Sequence, residues 1–163
     1  MANDNPVIGI LMGSKSDWET MSSATDMLVV LDIPYEVKIL SAHRNPEQVN
    51  NYAATARDRG LKVIIAGAGM AAALPGVVAA LTPLPVLGVP METKVMGGMD
   101  SLLSMAQMPG GVPVGTLAIG KAGAKNAALL AAAILALSDE KIAQAVDDFR
   151  KIQNDRIADV PTK

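Results

Sequence analysis

The chain has 163 residues, half of them hydrophobic and only 18% charged, which suits one unit with a sizeable core. A formal net charge of −2 and the absence of any basic run exclude the electrostatic footprint of a nucleic-acid binder. With no cysteine and one histidine, disulfides, thiolate or His-rich metal sites and thiol catalysis are excluded.

The segment Met1-Ala2-Asn3-Asp4-Asn5-Pro6 has no basic region followed by an apolar stretch, so no signal peptide is expected. Val7–Met12, an apolar run between Pro6 and Gly13, reads as a strand buried on both faces. Gly13-Ser14-Lys15-Ser16-Asp17 follows as a polar turn with helix-capping residues, and Trp18–Leu31 carries Met21, Ala24, Thr25, Leu28 and Leu31 at helical spacing. Asp32-Ile33-Pro34 breaks this helix before a second strand, Tyr35–Leu40. A second helix is expected from about Pro46 to Arg59, with proline at a favourable first position and Gly60 past its end.

Leu61–Ala66 reads as a third strand and leads into the small-residue loop Gly67–Gly76, then a helix to about Leu81. Thr82-Pro83-Leu84-Pro85 turns the chain into a fourth strand, Val86–Val89. A loop from Pro90 to Gly111 encloses a helix near Met99–Gln107, and Val112–Ile119 is the fifth strand. After a turn at Gly120–Gly123, Ala124–Leu137 is a helix apolar on nearly every side, which must be covered all round. Its longest apolar run, Ala127–Leu137, falls short of the roughly 20 residues that a bilayer requires, so a cytoplasmic protein without a membrane partner is expected. Ser138-Asp139 caps a last helix, about 139–158, with Ile142, Val146, Phe149, Ile152 and Ile157 in a stripe that suits docking on a neighbouring subunit.

Five strands alternating with helices predict a parallel sheet covered on both faces, a three-layer αβα sandwich of flavodoxin-like kind. The whole chain, 1–163, reads as a single α/β domain with its core over about 7–137. Right-handed crossovers place every strand-to-helix loop on one edge, with the topological switch point between the first and third strands. Gly13–Asp17, Ser41–Pro46 and Gly67–Gly76 then become neighbours.

Ser41-Ala42-His43-Arg44-Asn45-Pro46 joins the only histidine to an arginine. Imidazole suits proton transfer near neutral pH, and guanidinium is a fixed fork for phosphate or carboxylate. An acid/base residue beside an anion clamp is one reading, and an incidental surface loop is the other. Gly13–Asp17, at a helix start, favours an anion, although an ordinary cap explains its Ser and Asp equally well. It lacks the spacing of a nucleoside-triphosphate loop. Gly67-x-Gly69-x-x-Ala72 is rejected as a dinucleotide fingerprint, because it follows the third strand and Leu74-Pro75-Gly76 interrupts the expected helix start. Its small side chains let a ligand approach backbone N–H groups, or simply allow tight helix-to-sheet packing.

Together, several motifs resemble the class I N5-carboxyaminoimidazole ribonucleotide mutase family of de novo purine biosynthesis. They are Met12-Gly13-Ser14-Lys15-Ser16-Asp17-Trp18, Ser41-Ala42-His43-Arg44-Asn45-Pro46, Ala66-Gly67-Ala68-Gly69 and Leu74-Pro75-Gly76. They continue through Pro85–Pro90, Asp100–Ser104, Gln107–Gly111 and Gly120–Gly123, so the resemblance spans about Val7 to Leu137. It implies a homo-octamer of flavodoxin-like subunits, with no cofactor and no metal, which agrees with the apolar surplus. It also implies a carboxylate moved from the exocyclic nitrogen of an aminoimidazole ribonucleotide to ring carbon 4. By matched position His43 is the acid/base residue, Arg44 suits the phosphate, Asp17 the ribose hydroxyls and Ser14 a hydrogen bond to the nucleotide. Ser16 and Ser41 are second choices. Gly67, Ala68 and Gly69 would supply backbone contacts near the carboxylate or CO₂, with Leu74 beside them.

Family members commonly read Gly-Gly-Ala-Ala-His-Leu-Pro-Gly where this chain has Gly69-Met70-Ala71-Ala72-Ala73-Leu74-Pro75-Gly76. A second histidine is thus Ala73 and a glycine is Met70, leaving His43 alone for imidazole chemistry and predicting a drier CO₂ pocket. The alternatives are direct carboxylation of aminoimidazole ribonucleotide in the class II manner, a non-catalytic nucleotide- or flavin-binding module, and an inactive paralogue. One Trp, two Tyr and one Phe offer little surface to sandwich a flavin.

Overall fold

In a computed structural model of the chain, residues 5–157 are described. Five parallel strands form one sheet in the order β2-β1-β3-β4-β5. They are β1 (Ile8–Met12), β2 (Tyr35–Ile39), β3 (Val63–Ala68), β4 (Val86–Pro90) and β5 (Gly115–Thr116). The helices are α1 (Trp18–Val30), α2 (Pro46–Ala56), α3 (Leu74–Leu81), α4 (Met99–Ala106), α5 (Lys121–Ala136) and α6 (Glu140–Asp155). This strand order is the flavodoxin-like one expected from the sequence, with its switch point between β1 and β3.

The three inner strands are buried at every position, as continuous apolar runs in a sheet covered on both faces must be. On one face, Met21, Ala24 and Leu28 of α1 and Ala124, Ala128 and Ala131 of α5 pack on Ile8, Ile10, Val63 and Val89. The alanines let α5 lie close to α1, and the outer flank of α5 is covered by Ile142, Val146 and Phe149 of α6. On the other face, Val49, Tyr52 and Ala53 of α2, Leu74 and Val78 of α3 and Met105 of α4 cover Leu11, Ile64, Ala66 and Val86. The α6 stripe therefore docks through its first half on its own chain, leaving Ile152 and Ile157 exposed. Asp139 caps α6, its carboxylate accepting from the N–H groups of Lys141 and Ile142 at 3.0 and 3.1 Å.

Several element boundaries differ from the sequence expectation. Helix α2 ends at Ala56 rather than Arg59, because residues 57–60 close a turn through Gly60, whose φ is +93°. Leu61 and Lys62 are consumed in entering the sheet, so β3 runs two residues later and reaches Ala68, which pairs with Pro90. Helix α5 starts at Lys121, not Ala124. Gly120 redirects the chain at φ +76° and its carbonyl accepts from Ala124 N–H at 3.1 Å. The fifth strand shrinks to two residues: it is an edge, and Pro113 has no N–H to give a ladder. Met1–Asp4 of the leading segment and Ala158 of the expected last helix lie outside the described residues. Among the described residues no helix is long and apolar enough to cross a membrane.

Candidate functional site

The register of the sheet decides what meets at its C-terminal edge. Met12 lies opposite Ile39 on one side and Gly67 on the other, so β1, β2 and β3 end level with one another. The loops that follow surround a cavity of about 230 Å³. Ser14, Ser16 and Asp17 line it from the first loop, Ser41, His43 and Arg44 from the second, and Ala68, Gly69 and Leu74 from the third. Nine of the ten residues singled out from the sequence thus share one cavity. The tenth, Gly67, does not: it is buried within β3, where a Cβ would press on the side chains of Met21 and Met91. Its lack of a side chain serves helix-to-sheet packing rather than access for a ligand.

In the first loop the capping residues are themselves the cavity wall. Ser14 N–H donates to Asp17 Oδ2 at 3.0 Å, Ser16 N–H donates to Ser14 Oγ at 3.3 Å, and the Ser14 and Ser16 hydroxyls share a hydrogen bond at 2.9 Å. This capping box fixes the start of the helical turn that runs into α1. A carboxylate can accept roughly four hydrogen bonds, so capping leaves Asp17 with acceptor capacity toward the cavity. Half-burial pushes the Asp17 carboxyl above its usual value, opposed by the hydrogen bonds from Ser14 and Ser16 and by the charge of Arg44.

The second loop is braced by its polar neighbours. Asn45 Oδ1 accepts from Ser41 N–H at 2.6 Å and Asn45 N–H donates to the Ser41 carbonyl at 3.0 Å. Ser41 Oγ accepts from Arg44 N–H at 3.3 Å. Ser41 and Asn45 therefore hold the backbone, while the His43 and Arg44 side chains are exposed and make no hydrogen bond among the described residues. Both are free to meet a ligand.

The third loop turns sharply, with Ala72 N–H donating to the Gly69 carbonyl at 3.0 Å. Met70 and Ala72 take left-handed conformations, φ +57° and +37°. Met70 and Ala73, expected at the pocket from their departure from the family pattern, also line the cavity, as do Gly13, Ala42 and Ala72, which were not selected as site residues. The advance signal for these three was adjacency in sequence to the residues selected. The Met70 side chain is 70% exposed, so it sits at the mouth and does little to dry the interior. The N-termini of α2, α3 and the turn before α1 all face this edge, adding positive dipole ends to the Arg44 charge. The arrangement can bind an anion, accept hydrogen bonds at Asp17 and exchange a proton at His43.

A model of the AIR carboxylase family matches residues 7–156. The chain is 62% identical to the N5-carboxyaminoimidazole ribonucleotide mutase of Bacillus subtilis (strain 168), over 90% of each chain. It is also 58% identical to the bifunctional purine synthesis protein purC/E of Dictyostelium discoideum. That match takes in 97% of this chain but only 16% of that much longer protein. The crystal structure of Treponema denticola PurE superposes with a TM-score of 0.80 at 31% identity, covering 93% of both chains.

Proposed function

Since the chain belongs to the AIR carboxylase family, we propose that it converts N5-carboxyaminoimidazole ribonucleotide to the 4-carboxy isomer. The observation that carries this reading is the convergence of Ser14, Asp17, His43 and Arg44 on one cavity, in a chain 62% identical to a mutase of the same length.

The reaction divides into two steps that return the protein to its starting state. The bond between the exocyclic nitrogen and the carboxyl carbon breaks, its electron pair stays on nitrogen, and His43 delivers a proton there. The released CO₂ stays in the cavity, where ring carbon 4, rich in electrons from the amino group, attacks it. The tetrahedral ring carbon then loses its hydrogen to the His43 imidazole, and aromaticity returns. One proton leaves His43 and one comes back, so the net change is an isomerisation. Holding CO₂ against the ring is a proximity effect that exclusion of water protects.

Arg44 takes the phosphate, Asp17 the ribose hydroxyls, and Ser14 with Ser16 and Ser41 the remaining polar contacts. Ala68, Gly69 and Leu74 form the wall beside the migrating carboxylate. No metal or cofactor enters this scheme. The same proposal includes a cytoplasmic, single-domain subunit in a homo-octamer, supported by exposed Trp18, Ile39 and Leu137, whose apolar surface needs cover.

The test is turnover of the N-carboxylated ribonucleotide by the wild type and His43→Asn. Loss of a general acid/base lowers kcat by about 10²–10⁴-fold, while nucleotide affinity is retained. Turnover only from aminoimidazole ribonucleotide with bicarbonate, or an active His43→Asn, overturns the proposal.

A further inference from the structure

We infer that Ser101 and Ser104 of α4 are positioning residues for this reaction, acting through the backbone of Met70. The inference rests on the mutase reading above.

Met70 lines the cavity at φ +57°, where the Cβ of an L-residue crowds its own carbonyl. Something outside the residue must hold it there. Ser101 Oγ accepts from Met70 N–H at 3.0 Å, and Ser104 Oγ donates to the Met70 carbonyl at 3.2 Å. The two serines lie one turn apart on one face of α4, a spacing that suits the N–H and C=O of a single residue. A helical serine usually bonds back to its own helix. Ser101 is instead fully buried at 0% exposure, with its hydroxyl turned to a loop 31 residues away.

The helix that carries them is itself fixed. Met105 is fully buried against Gly88 of β4, and Thr93 Oγ1 donates to Asp100 Oδ1 at 2.6 Å beside the helix start. The clamp thus ties the Gly69–Ala73 turn to the sheet. Without it, Met70 relaxes toward negative φ, and the wall facing the migrating carboxylate changes shape. The nucleotide is held from the other side of the cavity, by Ser14, Asp17 and Arg44. Losing the clamp therefore acts on kcat and spares KM.

The experiment compares Ser101→Ala, Ser104→Ala and Ser104→Thr with wild type, each also in a Met70→Gly background. Kinetics use the N-carboxylated ribonucleotide, and hydrogen exchange follows the Met70 amide. Sub-ångström to ångström displacement of a reacting group predicts a loss in kcat of about 10–100-fold for either alanine variant, with KM little changed. Ser104→Thr keeps the hydroxyl and should keep the activity. Glycine takes φ +57° freely, so Met70→Gly should restore most of the Ser101→Ala loss, and faster exchange at Met70 should accompany Ser101→Ala.

A full-activity alanine pair, no recovery with Met70→Gly, or unaltered Met70 exchange overturns the inference. If Ser101→Ala fails to fold, the exposed Ser104 decides alone. If wild type does not turn over the substrate, the mutase reading fails, and Met70 exchange in the serine variants still judges the clamp.

Discussion

Gly9 of β1 is occupied from above by Tyr52 of α2, and the pair makes a quantitative prediction. A Cβ at Gly9 would fall inside the van der Waals radius of the Tyr52 hydroxyl, with Tyr52 Cζ and Leu61 Cδ1 next, each at 3.3 Å. That hydroxyl is buried and has no hydrogen-bond partner among the described residues. Burial first, and the nearby Glu36 carboxylate second, push its pKa above the usual phenol range, so it stays protonated. Gly9→Ala should therefore destabilise by about 1–3 kcal/mol, the cost of overpacking a closed core. Tyr52→Phe removes an unsatisfied buried hydroxyl and should stabilise by about 1–3 kcal/mol, less whatever the small gap costs.

In the double variant the nearest neighbours of the new methyl are the two carbons at 3.3 Å, a tight contact but one that a small shift relieves. The cost of Gly9→Ala should then fall, giving a coupling of about 1–2 kcal/mol between the two positions. Thermal unfolding at one fixed protein concentration reads this out, at about 2–4 °C per kcal/mol for a chain of this size. Additivity of the two substitutions within about 0.5 kcal/mol would show that the hydroxyl does not fill the space above Gly9.

Three further predictions concern the cavity and its frame. Arg44→Ala removes a charge-assisted contact worth about 1.5–3 kcal/mol, so KM should rise by roughly 10–100-fold; a KM within threefold of wild type, on the order of experimental scatter, assigns the phosphate elsewhere. Asp17 has a raised pKa in the folded state, so its contribution to stability is full below its ordinary value of 3.8 and lost as pH rises through the folded value. Urea unfolding from pH 3 to 7 should show wild type losing ground to Asp17→Asn across that window; the opposite slope would mean that the hydrogen bonds outweigh burial. Gly123→Ala would drive a methyl into the backbone of Ala118 at the start of α5, where no side chain can yield. It should lower the unfolding midpoint more than Gly60→Ala, whose strain at φ +93° lies in open space; equal losses would refute the steric argument.

What was legible in the sequence is what local pattern encodes. Val7–Met12 and Val86–Val89 announced themselves as unbroken apolar runs, and the Met21–Leu28 spacing announced α1. Parallel alternation then placed three loops on one edge, which was enough to gather His43, Arg44, Ser14 and Asp17. The misreadings lie where a distant group decides a local outcome. Gly67 leaves ligand approach and tight packing equally open until Met21 and Met91 are seen packed over it. Val112–Ile119 reads as a full strand until its place at the sheet edge leaves it one partner and two paired residues. Ser101 and Ser104 stand in the sequence only as part of a family motif, Asp100–Ser104, because nothing nearby in sequence reveals the left-handed Met70 they hold.

The two borders of the sheet have a bearing on how copies of this chain avoid sticking together. At one border β2 alternates Glu36 and Lys38 along its length, and at the other β5 offers two residues beyond a proline. A foreign strand adding to the first would have to bury charge, and one adding to the second would find almost no ladder. Growth by strand addition, the route to fibres, is therefore blocked at both ends. Association of copies is then left to the helical faces. A segment released from β3, apolar and with neither charge nor proline, would be the aggregation hazard of the unfolded chain.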